Sequence, residues 1–235
     1  MLPDDVTLTK TAAKPLRRKT ATGRKASKDV RRRQLIDATI ASLAERGFSE
    51  TTLADVARGA GLSQGIVNFH FQSKDKLLVE TLQFMAEEYS DHWRAAMETA
   101  GPDPARRLWA LVAADFDLTI CSKTKLAAWC AFWGEARSRP TYQSLCGARD
   151  EAYQMTLTVL CAELAAAAPP GGARQDAAAI ALALDALLDG LWLRMMMQDR
   201  MTGERALAAA RAFLIAVFPH QFSALTGHGV RPASR

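Results

Sequence analysis

The stretch Gly61-Leu62-Ser63-Gln64-Gly65 fits two different chemistries. Its G-x-S-x-G spacing is that of a nucleophile elbow, where a strained strand-to-helix turn lifts a serine hydroxyl out for attack on an acyl carbon. The same residues suit the turn of a helix-turn-helix: Gly61 permits the turn, Leu62 fills the space between two helices and Ser63 caps the second. Other reactive side chains give less direction. His70, His92, His220 and His228 form no metal-ligand pair, and Cys121, Cys130, Cys146 and Cys161 show no C-x-x-C spacing, so the thiols read as reduced core residues. No metal or cofactor is expected. A further set is aromatic and acidic. Trp129 and Trp133 share a helical face with Phe132 beside them, Trp192 follows Asp185 and Asp189, and Asp115 and Asp117 flank Phe116. A quaternary ammonium cannot be hydrogen-bonded, so it needs aromatic faces, each contributing roughly 0.5–2 kcal/mol, and a carboxylate nearby. Tryptophans at this spacing serve a core equally well, and the acids could pair with Arg194 or Arg137.

The elements that must position these residues are helices. Residues 29–47 place Leu35, Ile36, Thr39, Ile40 and Leu43 on one face, with Gly47 as a C-cap. Thr51 or Thr52 caps a short helix carrying Leu53, Val56 and Ala57 that stops at Gly61. Ser63 caps the next short helix, with Ile66 and Val67 inward, and Ser73 caps a long one starting near Lys74. Further helices are predicted at about 103–121, 123–138, 141–168, 174–199 and 203–218, with breaks at Gly101-Pro102, Pro140, Pro169-Pro170-Gly171-Gly172 and Thr202-Gly203. The expectation is an all-α chain of nine helices. An elbow requires a strand before its serine, whereas a helix precedes Ser63, so the helix-turn-helix reading is preferred. An enzyme resting on Ser63 or on the Asp185/Asp189 pair finds no metal, phosphate-loop or nucleotide motif in the sequence to support it.

Charge is distributed unevenly. The net charge is +5, yet residues 1–28 hold eight Lys/Arg against two Asp, while residues 29–80 hold seven of each sign. Residues 1–28 are therefore expected to be a basic flexible arm, either solvated or lying on DNA phosphates. Residues 29–77 would be the DNA-binding domain, 78–218 a ligand-binding and dimerisation domain, and 219–235 a loose tail. No apolar run is long enough for a membrane span, and the N-terminus has no signal-like apolar segment, which points to the cytoplasm.

On the second short helix, Gln64 suits adenine or phosphate, Gly65 allows close backbone approach, and Asn68 offers a bidentate amide. Phe69 and His70 close the helix, Phe69 facing either bases or the core; Phe71 packs inward, and Lys74 presents an ammonium to phosphate. Residues 30–77, and "TTLADVARGAGLSQGIVNFHFQSKDKLL" in particular, resemble the DNA-binding domain of the tetracycline-repressor (TetR) family. That resemblance implies an all-α, nine-helix homodimer, and Arg31 and Thr52 complete the expected DNA-contacting set. Asn68 departs from the family's frequent phosphate-touching Tyr. "RRRQLIDAT", "AAWCAFWGEARSRPTYQSL" and "DALLDGLWLR" further resemble the BetI regulators. This implies repression of choline-uptake and glycine-betaine-synthesis genes, with choline as the effector that releases the operator; a TetR-type regulator answering another cationic or hydrophobic ligand, as in efflux control, is the alternative. The candidate ligand set is Asp115, Phe116, Trp129, Phe132, Trp133, Asp189 and Trp192.

The segment 174–199 is apolar almost all round and rich in Ala, so it must be buried on more than one side. With 203–218 it could form a four-helix bundle across a two-fold axis. Such a dimer would present two recognition helices to a near-palindromic operator.

Overall fold

Leu35, Ile36, Thr39, Ile40 and Leu43 recur at helical spacing, and all five are buried. In the computed structural model, which describes residues 21–167 and 176–223, they form the inner face of α1 (Ala21–Glu50). Gly47, with φ 78° and ψ −179°, interrupts that helix. Only glycine adopts this backbone cheaply, so the regular helix breaks where the sequence predicts its C-cap. Its start differs from expectation. The sequence predicts a loose arm over residues 1–28, yet α1 already runs from Ala21, because Ala, Arg and Lys are strong helix formers and charge alone does not break a helix. The rest of that arm, residues 1–20, lies outside the described residues.

Thr52 caps α2 (Leu53–Gly59), its hydroxyl accepting from the Asp55 amide at 3.2 Å. After the turn comes α3 (Gln64–Phe71), and Ser73 caps α4 (Lys74–Thr99) by accepting from the Lys76 amide. Val56, Ala57, Val67 and Phe71 close a small core against α1 and the start of α4. Beyond it lie α5 (Pro104–Asp115), α6 (Leu118–Cys121), α7 (Lys123–Ala136), α8 (Pro140–Ala166), α9 (Ala177–Met197), α10 (Gly203–Val217) and α11 (Pro219–Phe222). Asp103, Asp117, Ser122, Asp176 and Thr202 supply side-chain N-caps, the usual way to satisfy the first amides of a helix.

The described residues are all-α, as expected, with eleven helices against the nine anticipated. One extra arises because the predicted 103–121 helix is split: Phe116 leaves helical backbone and Asp117 caps a new turn, its carboxylate accepting from the Thr119 amide. The other is the turn at Pro219, inside the stretch assigned to a loose tail; Phe222 is buried there. The predicted break at Pro169–Gly172 and the tail from residue 224 lie outside the described residues. Helix α4 packs on α5 and α8, α8 on α9, and α7 reaches both α1 and the α8–α9 pair. Cys121, Cys146 and Cys161 are buried and Cys130 is half-buried. No described helix is long and apolar enough to cross a membrane.

Candidate DNA-reading helix and effector pocket

The turn between α2 and α3 is built as its residues suggest. Gly61 takes φ 64°, and the Leu62 amide donates to the Ala57 carbonyl at 2.9 Å, folding the chain back under the end of α2. Ser63 occupies the N-cap position of α3 with extended backbone but makes no side-chain cap bond. Its hydroxyl, together with exposed Gln64, Gly65 and Asn68, forms an outward polar face at the start of the helix. Phe69 is 74% exposed, which excludes the core alternative for that ring. Lys28 of α1 lies 6.0 Å from the Phe69 centroid, so the basic part of α1 reaches the outer face of α3. The sequence places residue 28 in the arm and so gives no sign of this neighbour.

His70 is half-buried, its Nδ1 enclosed without a partner. Burial depresses its pKa, and the nearby cations Lys28 and Arg32 push it the same way, against a smaller opposing effect of Glu80. Arg31 is exposed and donates to Gln34 at 3.1 Å. Thr52 is exposed, its hydroxyl tied to Asp55. Lys74 differs from the expected phosphate contact. Its ammonium donates to the carbonyls of Phe48 and Ser49, both at 3.1 Å, and lies 5.7 Å from the Phe48 ring. It caps the C-terminal end of α1 and is not aimed outward at phosphate, because the break at Gly47 brings those carbonyls to the start of α4.

The acidic and aromatic set also comes together, in part. A cavity of about 80 Å³ is lined by Tyr89, Asp115, Asp150, Tyr153, Asp185, Leu188, Asp189 and Trp192. Asp115 organises it. This carboxylate is 2% exposed and accepts from the Tyr89 hydroxyl at 2.9 Å and the Tyr153 hydroxyl at 2.6 Å, while its backbone carbonyl accepts from the Trp192 indole at 2.9 Å. Three aromatic side chains are thereby held around one carboxylate, with Tyr89 edge-on to Trp192 at 5.7 Å. Burial and then the Asp115 charge push the Tyr153 hydroxyl well above the usual phenol range, so it stays a donor. Behind Trp192 the indoles continue as a stack, Trp192 on Trp133 at 6.4 Å and Trp133 on Trp129 at 6.2 Å. Of the residues expected there, Asp115, Asp189 and Trp192 line the cavity, and Trp129 and Trp133 back it. Phe116 caps the end of α5 and does not line it. Phe132 faces away. Tyr89, Tyr153 and Asp150 were missed, since their role depends on contacts between separate helices.

Phe132 instead meets the end of α1. The Phe48 ring lies edge-on to Phe132 at 6.3 Å and to Tyr142 of α8 at 5.8 Å. Arg139 lies 4.9 Å from the Phe48 centroid and 5.7 Å from that of Tyr142, while its guanidinium reaches Glu135 at 3.2 Å and Asp75 at 3.5 Å. Four helices, α1, α4, α7 and α8, therefore meet around one phenyl ring.

Residues 35–81 match the tetR family of bacterial regulatory proteins, and residues 104–219 match the C-terminal domain of BetI-type transcriptional repressors. An HTH-type transcriptional regulator BetI of Burkholderia thailandensis is 42% identical over 170 residues, covering 71% of this chain and 82% of that protein. A BetI regulator of Burkholderia cenocepacia is 41% identical over the same shares of each chain. Among solved structures, a transcriptional regulator of Pseudomonas aeruginosa PAO1 superposes with TM-score 0.69 at 28% identity, over 83% of this chain and 94% of its own. A transcriptional regulator of Saccharomonospora viridis, solved in complex with choline, shares the fold at TM-score 0.69 and 22% identity, over 79% of this chain and 96% of its own.

Proposed function

Because this chain belongs to the tetR family of bacterial regulatory proteins, as a BetI-type transcriptional repressor rather than an enzyme, we propose that choline is its effector and that it controls genes for choline uptake and conversion to glycine betaine. The observation that carries the reading is the Asp115 cage. Buried aromatic faces ordered by a carboxylate, with Asp150, Asp185 and Asp189 on the same walls, suit a small quaternary ammonium, which gains from rings and negative charge without needing a donor or acceptor of its own. A relative of the same fold holds choline. A volume of about 80 Å³ is well below the roughly 300–1,000 Å³ of drug-sized sites. That favours a small cation over the bulky hydrophobic ligand of an efflux regulator.

On DNA, α3 enters the major groove with Gln64, Asn68 and Phe69 toward base edges, Phe69 offering an apolar face to a thymine methyl. Ser63, the Gly65 backbone, Arg31 and Thr52 lie toward phosphate, with His70 at the end of the helix. The chain works in the cytoplasm as a homodimer through α9 and α10, whose outer faces carry Ala and Leu residues left exposed in the single subunit. Residues 21–77 are the DNA-binding unit and residues 78–218 the effector and dimer unit. Coupling runs along α7. One face of that helix carries the indoles that back the pocket, and beside it Phe132 packs against Phe48 at the end of α1. A cation seated on Trp192 moves the stacked indoles, and the joint around Phe48 passes the shift to α1 and to the start of α4, changing the separation of the two α3 helices.

The test is an anisotropy titration of the purified protein on its own upstream DNA at stated salt, with and without millimolar choline. Binding weakened by choline, but not by betaine or a neutral isostere, is the expected result. Specific binding that choline leaves unchanged keeps the repressor and rejects this effector.

A further inference from the structure

Helix α4 begins beside α3, and its other end borders a hollow that neither DNA contact nor the Asp115 cage uses. The chain reverses at Gly101-Pro102 between α4 and α5, leaving a cleft of about 360 Å³ lined by Arg94, Met97, Glu98, Gly101, Pro102 and Arg107. Buried Met97 and the Pro102 ring give it apolar surface. Arg94 is exposed, and its guanidinium lies 5.0 Å from the ring centroid of buried Trp93, which favours one placement of a long side chain. Arg107, from the first turn of α5, is half-buried. Neither guanidinium is in an ion pair with a carboxylate among the described residues, although Glu98 lines the same cleft. Two positive charges from different helices thus face one concave, partly apolar surface.

From this we propose that the cleft between α4 and α5 is a second small-molecule site, for an organic monocarboxylate with a short apolar body. The inference is independent of the cation reading of the Asp115 cage. A guanidinium presents a planar fork that matches the two oxygens of a carboxylate, and an anion between Arg94 and Arg107 removes their mutual repulsion. Glu98 sets the charge. The lining residues carry one net positive charge, which a monoanion balances, whereas a phosphate dianion would leave an excess negative charge beside the Glu98 carboxylate. The volume sets the size. About 360 Å³ falls within the roughly 300–1,000 Å³ of small-molecule sites and exceeds what a bare inorganic ion fills, so the body of the ligand lies on Met97 and Pro102. A carboxylate held by both arginines bridges α4 to α5, the same two helices that Tyr89 and Asp115 join in the cage. Its binding therefore stabilises the folded chain.

Calorimetry on the full chain with sodium acetate, butyrate and benzoate, against benzamide and sodium phosphate at equal ionic strength, tests the site. Butyrate and benzoate are expected to bind at least tenfold more tightly than acetate, phosphate or neutral benzamide. Arg94→Gln and Arg107→Gln should each weaken benzoate tenfold or more. Glu98→Gln should tighten benzoate severalfold and phosphate by more, a gain that a misfolded variant could not produce. In thermal melts, benzoate should raise the Tm of wild type and leave that of Arg107→Gln unmoved. Several results overturn the proposal. One is no binding of any of the three carboxylates up to tens of millimolar, and another is benzoate binding that both arginine variants retain. Benzamide binding as tightly as benzoate would make the cleft an apolar groove, and phosphate binding more tightly than benzoate would reject the monocarboxylate. A Glu98→Gln variant that binds benzoate no more tightly than wild type would place the ligand elsewhere.

Discussion

Asp115 is the residue on which the pocket depends, because it is a buried charge whose partners are the cage itself. With both tyrosine hydroxyls donating to it, Asp115→Ala removes two buried hydrogen bonds, each contributing about 1–3 kcal/mol. For a chain of this size each kcal/mol lowers Tm by roughly 2–4 °C. Asp115→Asn keeps one acceptor oxygen, so its melting point should fall by less, while both variants lose choline affinity by tenfold or more in calorimetry. A pocket that kept its affinity in Asp115→Asn would place the decisive charge on another wall. His70 offers a second residue-level test. Its folded pKa lies below its ordinary value of 6.5, so the unfolded chain takes up the proton more readily. Stability is then complete above 6.5 and declines as pH falls below it. Denaturant unfolding at pH 7.5 and 5.5 should show wild type losing more stability than His70→Gln. Equal losses would mean that the imidazole is protonated as easily in the fold as outside it.

At the scale of elements, the joint between α1, α4, α7 and α8 depends on one glycine and one arginine. A Cβ on Gly47 would meet nothing within 4 Å, so Gly47→Ala has no steric clash and its cost is the backbone alone, about 1–3 kcal/mol for φ 78° with ψ −179°. A thermal melt should show the corresponding drop of several degrees. No change would mean that α1 can end differently. Arg139 lies over Phe48 and reaches Asp75 at the first turn of α4, yet its side chain is 41% exposed, so Arg139→Ala should fold. The expected outcome is a repressor that binds operator and choline separately with near wild-type affinity while choline's effect on DNA binding shrinks toward none. Full retention of the choline effect would move the coupling elsewhere. These elements differ in how visible they are to sequence reasoning. The turn, caps and recognition helix are set by residues within a few positions of one another, so Gly61, Ser63 and Gly47 announce them. Lys74 was misjudged because its carbonyl partners lie 25 and 26 residues earlier, behind a backbone break. The cage joins Asp115 to residues 26, 38 and 77 positions away. Spacing identified candidates such as Trp192 and Asp189, but no local pattern points to Tyr89 or Tyr153, or to the packing of Phe132 against Phe48.

On the proposed function the whole molecule acts through the spacing of two α3 helices, and DNA length can measure that spacing without touching the protein. If α9 and α10 hold the subunits as one rigid body, both recognition helices meet their half-sites only when these lie on one face of the duplex at a fixed separation, a whole number of helical turns of about 34–36 Å. Inserting about five base pairs at the operator centre turns the second half-site to the far side. Affinity should fall to that of one half-site, and the slope of log K against log salt should drop to about half, because half the phosphate contacts are lost. Inserting about ten base pairs restores the face but not the distance. A rigid dimer should still fail there, whereas a dimer with freely swinging DNA-binding units should recover. The same comparison bears on release by choline. A hundredfold loss of operator affinity corresponds to about 2.7 kcal/mol of coupling, and it arises only if the ligand-bound dimer is held at a different spacing. A dimer that tolerates the ten-base-pair insertion could follow any spacing at little cost, leaving choline no means of release. Failure on that operator together with full binding on the native one is therefore the result that a spacing mechanism requires.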